Sequence, residues 1–169
     1  SLDDVKVLVA DLRPTTLEQV GLLPALRQYA YAVSVRTAGS LQVSVATPVP
    51  LPPLEPEVEV AAYRIALEAL PNVARHSAAH HAVVTAATTD SELLVTISDD
   101  GVGMPRDLPA GGLGVRSMHE RAAELGGECV IAPANARARW SARPGTSVRA
   151  RLPLARGSAG PAGRAGGAS

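Results

Sequence analysis

Between Asp99 and Gly114 the chain carries Gly101, Gly103, Gly111, Gly112 and Gly114 together with Pro105 and Pro109. No helix or strand tolerates that density, because glycine loses the most backbone freedom on ordering and proline removes a donor. A connection of this length inside a compact domain usually has a functional reason. The stretch therefore separates two blocks of regular structure that must be rejoined around it.

Upstream, Leu2, Val5, Leu8, Val9 and Leu12 have helical spacing that stops at Arg13-Pro14, the pattern of a helix end. Thr15 and Glu18 form a Thr-x-x-Glu capping pattern, and Pro24 suits the first turn of a further helix through Leu26, Tyr29, Ala30 and Val33. The alternation of Leu41, Val43 and Val45 predicts a strand over Leu41 to Thr47. After a proline-rich connector, Pro56 opens a long helix that runs to about Ser77. Ala82 to Thr88 and Glu92 to Ser98 read as strands, joined by Thr89-Asp90-Ser91 as a hairpin. Downstream, Val115, Met118, Ala122 and Leu125 form one helical stripe that Gly126-Gly127 stop, and Cys129 to Ala132 and Thr146 to Leu152 read as strands. Ala155 to Ser169 has no periodicity and is expected to be a disordered tail. The alternation of helices with strands predicts an α/β chain with helices on one face of a mixed sheet.

Composition narrows the function. There is no Phe, and one Trp and three Tyr leave nothing for a stacking platform on nucleic-acid bases. Sixteen Lys and Arg balance sixteen Asp and Glu, so no global field draws the chain onto a polyanion or a membrane. Cys129 alone cannot form an internal disulfide. No apolar run approaches the roughly 20 residues of a membrane span, so direct membrane contact is not expected. The start at Ser1, without Met, suggests an excised piece of something longer.

Three segments carry chemistry. On the long helix Glu68, Asn72 and His76 recur every four residues on one face, with Arg75 beside them. A carboxylate that orients water and an amide oxygen that ligates a hard cation suit hydrated Mg²⁺ and its phosphates, although the segment alone also fits a solvated face. Next, Asp99-Asp100-Gly101-Val102-Gly103 stands where a strand ends: a carboxylate there can accept from an exocyclic amine such as that of adenine, while the glycines admit a flat ring. Asp-Asp-Gly is equally an ordinary turn. Last, Gly111-Gly112-Leu113-Gly114-Val115 opens directly into a helix, where orphan amides bind phosphate, or where a hinge bends.

In order and spacing these segments resemble the N, G1 and G2 boxes of the GHKL ATPase superfamily, which shares the Bergerat nucleotide-binding fold, a two-layer α/β sandwich. They look most like the catalytic, ATP-binding domain of sensor histidine kinases of the NarX/DesK-like class. The resemblance is carried by Asp11-Leu12-Arg13-Pro14, by Ala62 to Ile65 with Glu68 to His76, by Asp99 to Gly103, by Gly112 to Met118 with Glu120 to Ala122, by Leu125 to Gly127 and by Gly145-Thr146. It covers nearly everything from Leu2 to Leu154.

The resemblance implies that Asp99 takes the adenine amine, that Gly101 and Gly103 line the base pocket, and that Asn72 ligates Mg²⁺. Arg75 and His76 would lie near the phosphates of ATP. Gly112, Leu113, Gly114 and Val115 would close over them as part of a lid, and Thr146 would support the adenine side through Asp99 or a bound water. Glu68 matches the N-box carboxylate, a base or water-orienting group. The implied partners are the dimerisation and phosphoacceptor hairpin of the same protein, a homodimer, and a NarL-like response regulator, in a cytoplasmic setting with the parent protein free to be membrane-anchored. On this reading 1–14 ends the hairpin, 15–154 is the ATP-binding domain and 155–169 is the tail. The isolated chain would then bind ATP without autophosphorylating. The competing readings are an anti-sigma-factor serine kinase and a degenerate, nonenzymatic module.

Three features depart from the family pattern. Pro71 sits inside the N-box helix, where it deletes a backbone donor and clashes with the carbonyl of Leu67, at about 3 kcal/mol if unrelieved. The stretch from Asn135 to Pro144 is longer than the usual compact turn and carries Arg137, Arg139, Trp140 and Arg143. None of His76, His80, His81 and His119 occupies a phosphoacceptor position.

Overall fold

The computed structural model describes residues 14–104, 112–135 and 143–155. The helix expected over Leu2 to Leu12, the tail and the middle of the Asn135 to Pro144 stretch lie outside these residues. The chain runs α1 (Thr15–Val20), α2 (Leu22–Arg36), β1 (Gln42–Ala46), α3 (Pro56–His76), β2 (His81–Thr88), β3 (Glu92–Asp99), a 3-10 turn (Gly112–Gly114), α4 (Val115–Glu124), β4 (Glu128–Ala132) and β5 (Ser147–Pro153). The strands form one sheet in the order β1-β2-β3-β5-β4, with β1 parallel to β2 and the other pairs antiparallel. It is the mixed sheet that the alternation predicts.

Period-two alternation decides which face is covered. Ala82, Val84 and Ala86 on β2, Leu93, Val95 and Ile97 on β3, and Val148, Ala150 and Leu152 on β5 are buried beneath the helices. Intervening residues such as Thr85, Thr96 and Arg149 stay half-buried or exposed on the opposite face. The alanines of α3, Ala61, Ala62, Ala66 and Ala69, let this helix lie close to the sheet, while Ile65, Leu70 and Val73 fill the spaces between. Each fully buried Leu or Ile contributes about 1.5–3 kcal/mol. This buried stripe holds α3 continuous through Pro71, although the Leu67 carbonyl loses its amide partner.

Helix ends follow local chemistry with one correction. Thr15 is not the cap of α1: Pro14, at φ −58 and ψ 134, takes that position, and no side-chain cap bond forms. Because Thr15 is already the first helical residue, the Thr15 to Glu18 capping pattern has no cap to build. Instead, α2 draws its first partner from across the fold, as the Leu22 amide donates to Glu59 Oε2 at 3.1 Å. At the end of α4, Gly127 N donates to the Ala122 carbonyl and Gly126 N to that of Ala123, with Gly126 at φ +74, a Schellman stop. Among the described residues no helix is long and apolar enough to cross a membrane.

Candidate functional site

The alternation that buries Leu93, Val95 and Ile97 continues one step further and turns the side chain of Asp99 inward at the end of β3. Asp99 is 7% exposed, and it is the only buried charged side chain among the described residues. Its Oδ1 accepts from Gly101 N at 2.8 Å, and its own amide donates to the Thr146 carbonyl at 3.0 Å. Burial pushes its carboxyl above the usual range; the amides of Gly101 and Thr146 oppose this, the neighbouring Asp100 adds to it, and Arg143 pulls it back.

Asp100 points the other way. Its carboxylate accepts from the amides of His80 at 2.8 Å and His81 at 3.0 Å and pairs with His81 Nδ1 at 3.0 Å. The His81 amide, then its side chain, hold the Asp100 carboxyl down at about 2. Of the two adjacent aspartates, one is a surface tie and the other a buried acceptor.

Glycines bring three segments together around Asp99. A Cβ on Gly101 would strike the Ser77 carbonyl just past α3, and Val102 N donates to that same carbonyl at 2.7 Å. Gly145, at φ +67, donates to the Gly101 carbonyl at 2.8 Å, and a Cβ there would strike the carbonyl of Asp99. Gly103 lies under Pro144.

The resulting cleft, with about 440 Å³ of empty space including its mouth, is bordered by Asn72, Val73 and His76 from α3, Ile97 and Asp99 from β3, and Gly103 and Met104. Val115 and Met118 of α4, with Thr146 and Val148, close the far side. Of the residues singled out in the sequence, Asn72, His76, Asp99, Gly103, Val115 and Thr146 meet here. Gly101 stands behind the cleft as a packing residue against Ser77. Arg75 is not at the lining; it is exposed, and its charge acts on the hydroxyl of Tyr29. Glu68 is half-buried one turn above Asn72, with its carboxylate against Gly114, the left-handed cap of α4 at φ +69. Gly112, Leu113 and Gly114 form the 3-10 turn that leads into α4.

Sequence reasoning did not single out Ala69, Ser77, Met104 or Ile131, which also line the cleft. For Ala69 the signal was present, since it lies three residues before Asn72 on the same helical stripe. Ile131 comes from β4, two strands from β3, and nothing local announces it.

Residues 57–156 match the family described as histidine kinase-, DNA gyrase B-, and HSP90-like ATPase. The chain belongs to that family. Among its relatives in this ATPase family, the sensor histidine kinase NarS of Mycobacterium tuberculosis is 34% identical over 152 residues, which is 86% of this chain and 32% of NarS. The nitrate/nitrite sensor protein NarX of Escherichia coli K12 is 32% identical over 116 residues, 68% of this chain and 19% of NarX. The blue-light activated histidine kinase of Erythrobacter litoralis EL346 superposes with a TM-score of 0.60 at 25% identity, covering 79% of this chain and 42% of that one. The chain therefore spans a third or less of the length of these two curated relatives. The resemblance read from the N, G1 and G2 boxes is borne out, and so is the two-layer α/β fold it implied.

Proposed function

We propose that this chain is the ATP-binding catalytic part of a sensor histidine kinase, which delivers the γ-phosphoryl group of Mg·ATP to a histidine on a helical hairpin of the parent homodimer. From there the group would pass to a NarL-like response regulator. The observation that carries this reading is the buried, inward Asp99 carboxylate, which accepts from Gly101 N and lines the cleft together with Gly103 and Thr146 beside the apolar side chains of Ile97, Met118 and Val148. A carboxylate so placed can accept from the exocyclic amine of adenine, and the apolar walls from Ile97, Met118 and Val148 suit the ring.

Asn72, His76 and Val115 line the same cleft, and the Gly112 to Val115 turn that opens α4 would offer its backbone amides to phosphate. No three His, Cys, Asp or Glu side chains converge into a metal cage among the described residues. The Asn72 amide oxygen, a hard donor at the cleft wall, fits a hydrated Mg²⁺ that keeps its waters and is shared with substrate phosphates, with Asn72 Oδ1 as its protein ligand. Bound there, the ion would supply charge neutralisation of the phosphates. The residues of the chain would bind the base, orient the phosphates and exclude water. Glu68, one turn from Asn72, would orient a nucleophile's proton. Pro71, the best support for a nonenzymatic reading, leaves α3 unbroken and Asn72 in the cleft.

Incubating the chain with γ-labelled ATP tests this directly: ATP and ADP bind, and no label is transferred to the chain, because the acceptor histidine belongs to the hairpin. Stable phosphohistidine on this chain would overturn the assignment of the acceptor to the hairpin.

A further inference from the structure

Arg143 lies near the end of the Asn135 to Pro144 stretch, one of the three features that depart from the family pattern. Its Nη2 donates to the carbonyl of Ala78 at 2.8 Å, 65 residues away in sequence. Ala78 is held at φ +50, a left-handed conformation that costs an alanine about 1 kcal/mol. Its neighbours keep it there: the Ser77 carbonyl takes Val102 N at 2.7 Å, and Ser77 Oγ accepts from Ala79 N at 3.1 Å. The Ala78 carbonyl is thus a fixed point on the turn leaving α3. Two residues after Arg143, Gly145 donates to Gly101, and the next residue, Thr146, accepts from the amide of Asp99.

We propose that Arg143 is a positioning residue of the nucleotide cleft: it latches the Gly145-Thr146 arm to the turn after α3 and sets a positive charge against Asp99. The proposal rests on the ATP reading above and adds to it the element that keeps the base end assembled and charged. The groups facing Asp99 are the amides of Gly101 and Thr146, the carboxylate of Asp100, which is itself tied to His81, and Arg143. His76 of α3 shares the cleft. Burial drives the Asp99 carboxyl upward, and Arg143 is the side-chain charge that opposes it. An amine ligand needs the ionised form, so binding weakens as pH falls through the raised value, and loss of Arg143 moves that weakening to higher pH.

Two substitutions separate latch from charge. Arg143→Gln keeps a donor without the charge, and Arg143→Lys keeps the charge without the guanidinium fork. ATP affinity is titrated from neutral to acidic pH for both and for the wild type, with Asp99→Asn as the control for the cleft itself. The nucleotide's own titration is common to all. The Gln variant is expected to lose up to about five-fold in affinity at neutral pH and to weaken at a higher pH than the wild type. The Lys variant should follow the wild-type acid limb. At about 1 M salt, where screening acts over about 3 Å, the gap between Gln and wild type should narrow. Identical acid limbs for Gln and wild type would overturn the charge role of Arg143, and wild-type affinity at neutral pH in both variants and in Arg143→Ala would overturn the latch, while leaving the cleft assignment standing. ATP binding by Asp99→Asn equal to the wild type would instead remove the cleft assignment, and the Arg143 proposal with it.

Discussion

The two ends of the cleft are built from different materials. Around Asp99, the close approaches are between backbones: Gly101 against Ser77, Gly145 against Asp99, with Val102 and Gly145 donating across the seams at 2.7 and 2.8 Å. At the α3 and α4 end they are between side chains and a turn, where the nearest neighbour of Gly114 is the flexible end of Glu68. Backbone cannot step aside, but a carboxylate on a rotatable stem can. The Asp99 end is therefore preformed and the α3 and α4 end adjustable, a division that suits the proposed ligand, with a flat base at one end and a charged tail at the other.

Substitutions at matched glycines test this contrast most severely. Gly101→Ala should destabilise the chain by about 3 kcal/mol, because its methyl meets the Ser77 backbone, and a thermal melt reads the loss. Gly114→Ala should cost only about 1 kcal/mol, the price of φ +69 for an L-residue, and adding Glu68→Ala should change that little beyond its own effect. A Gly114→Ala penalty equal to that of Gly101→Ala would erase the distinction between the ends.

The adjacent aspartates sharpen the same contrast at smaller amplitude. With its folded carboxyl held at about 2 against 3.8 for the free group, Asp100 contributes stability that is complete above about pH 4 and is lost as pH falls through about 2. Half-exposed and screened, it is worth up to about 1 kcal/mol, so Asp100→Ala should lower stability by that amount at neutral pH and by nothing once the carboxyl is protonated. Asp99 has the opposite sign. Its folded value is raised, so the ionised group costs stability at neutral pH, and the cost lifts as pH falls through that value toward 3.8. Asp99→Asn should accordingly leave the unliganded chain as stable as the wild type or more so; a lower melting temperature would contradict this.

What the sequence made legible was whatever a local period decides. The strand read over Glu92 to Ser98 put Asp99 at its end, and the four-residue spacing put Asn72 and His76 on one stripe. Arg75, one step round the helix from that stripe, is exposed and outside the cleft lining, and its charge acts on the hydroxyl of Tyr29. Gly101 was readable as a glycine the site needs, but its reason was not: the obstacle is Ser77, brought there by the packing of α3 on the sheet. Arg143 and Ala78 meet across 65 residues, a contact that no local pattern encodes. The Thr15 pattern failed because Pro14 had already taken the cap position.

The most direct test of the account is calorimetric titration of ATP into the wild-type chain, Asp99→Asn and Asn72→Ala, each with and without Mg²⁺. The account predicts that the wild type binds in both conditions and more tightly with Mg²⁺, and that Asp99→Asn loses about 2 kcal/mol of binding, roughly 30-fold, in both. Asn72→Ala should match the wild type without Mg²⁺ and gain little when the ion is added. Wild-type affinity in both variants, with the same response to Mg²⁺, would show that the nucleotide is held elsewhere.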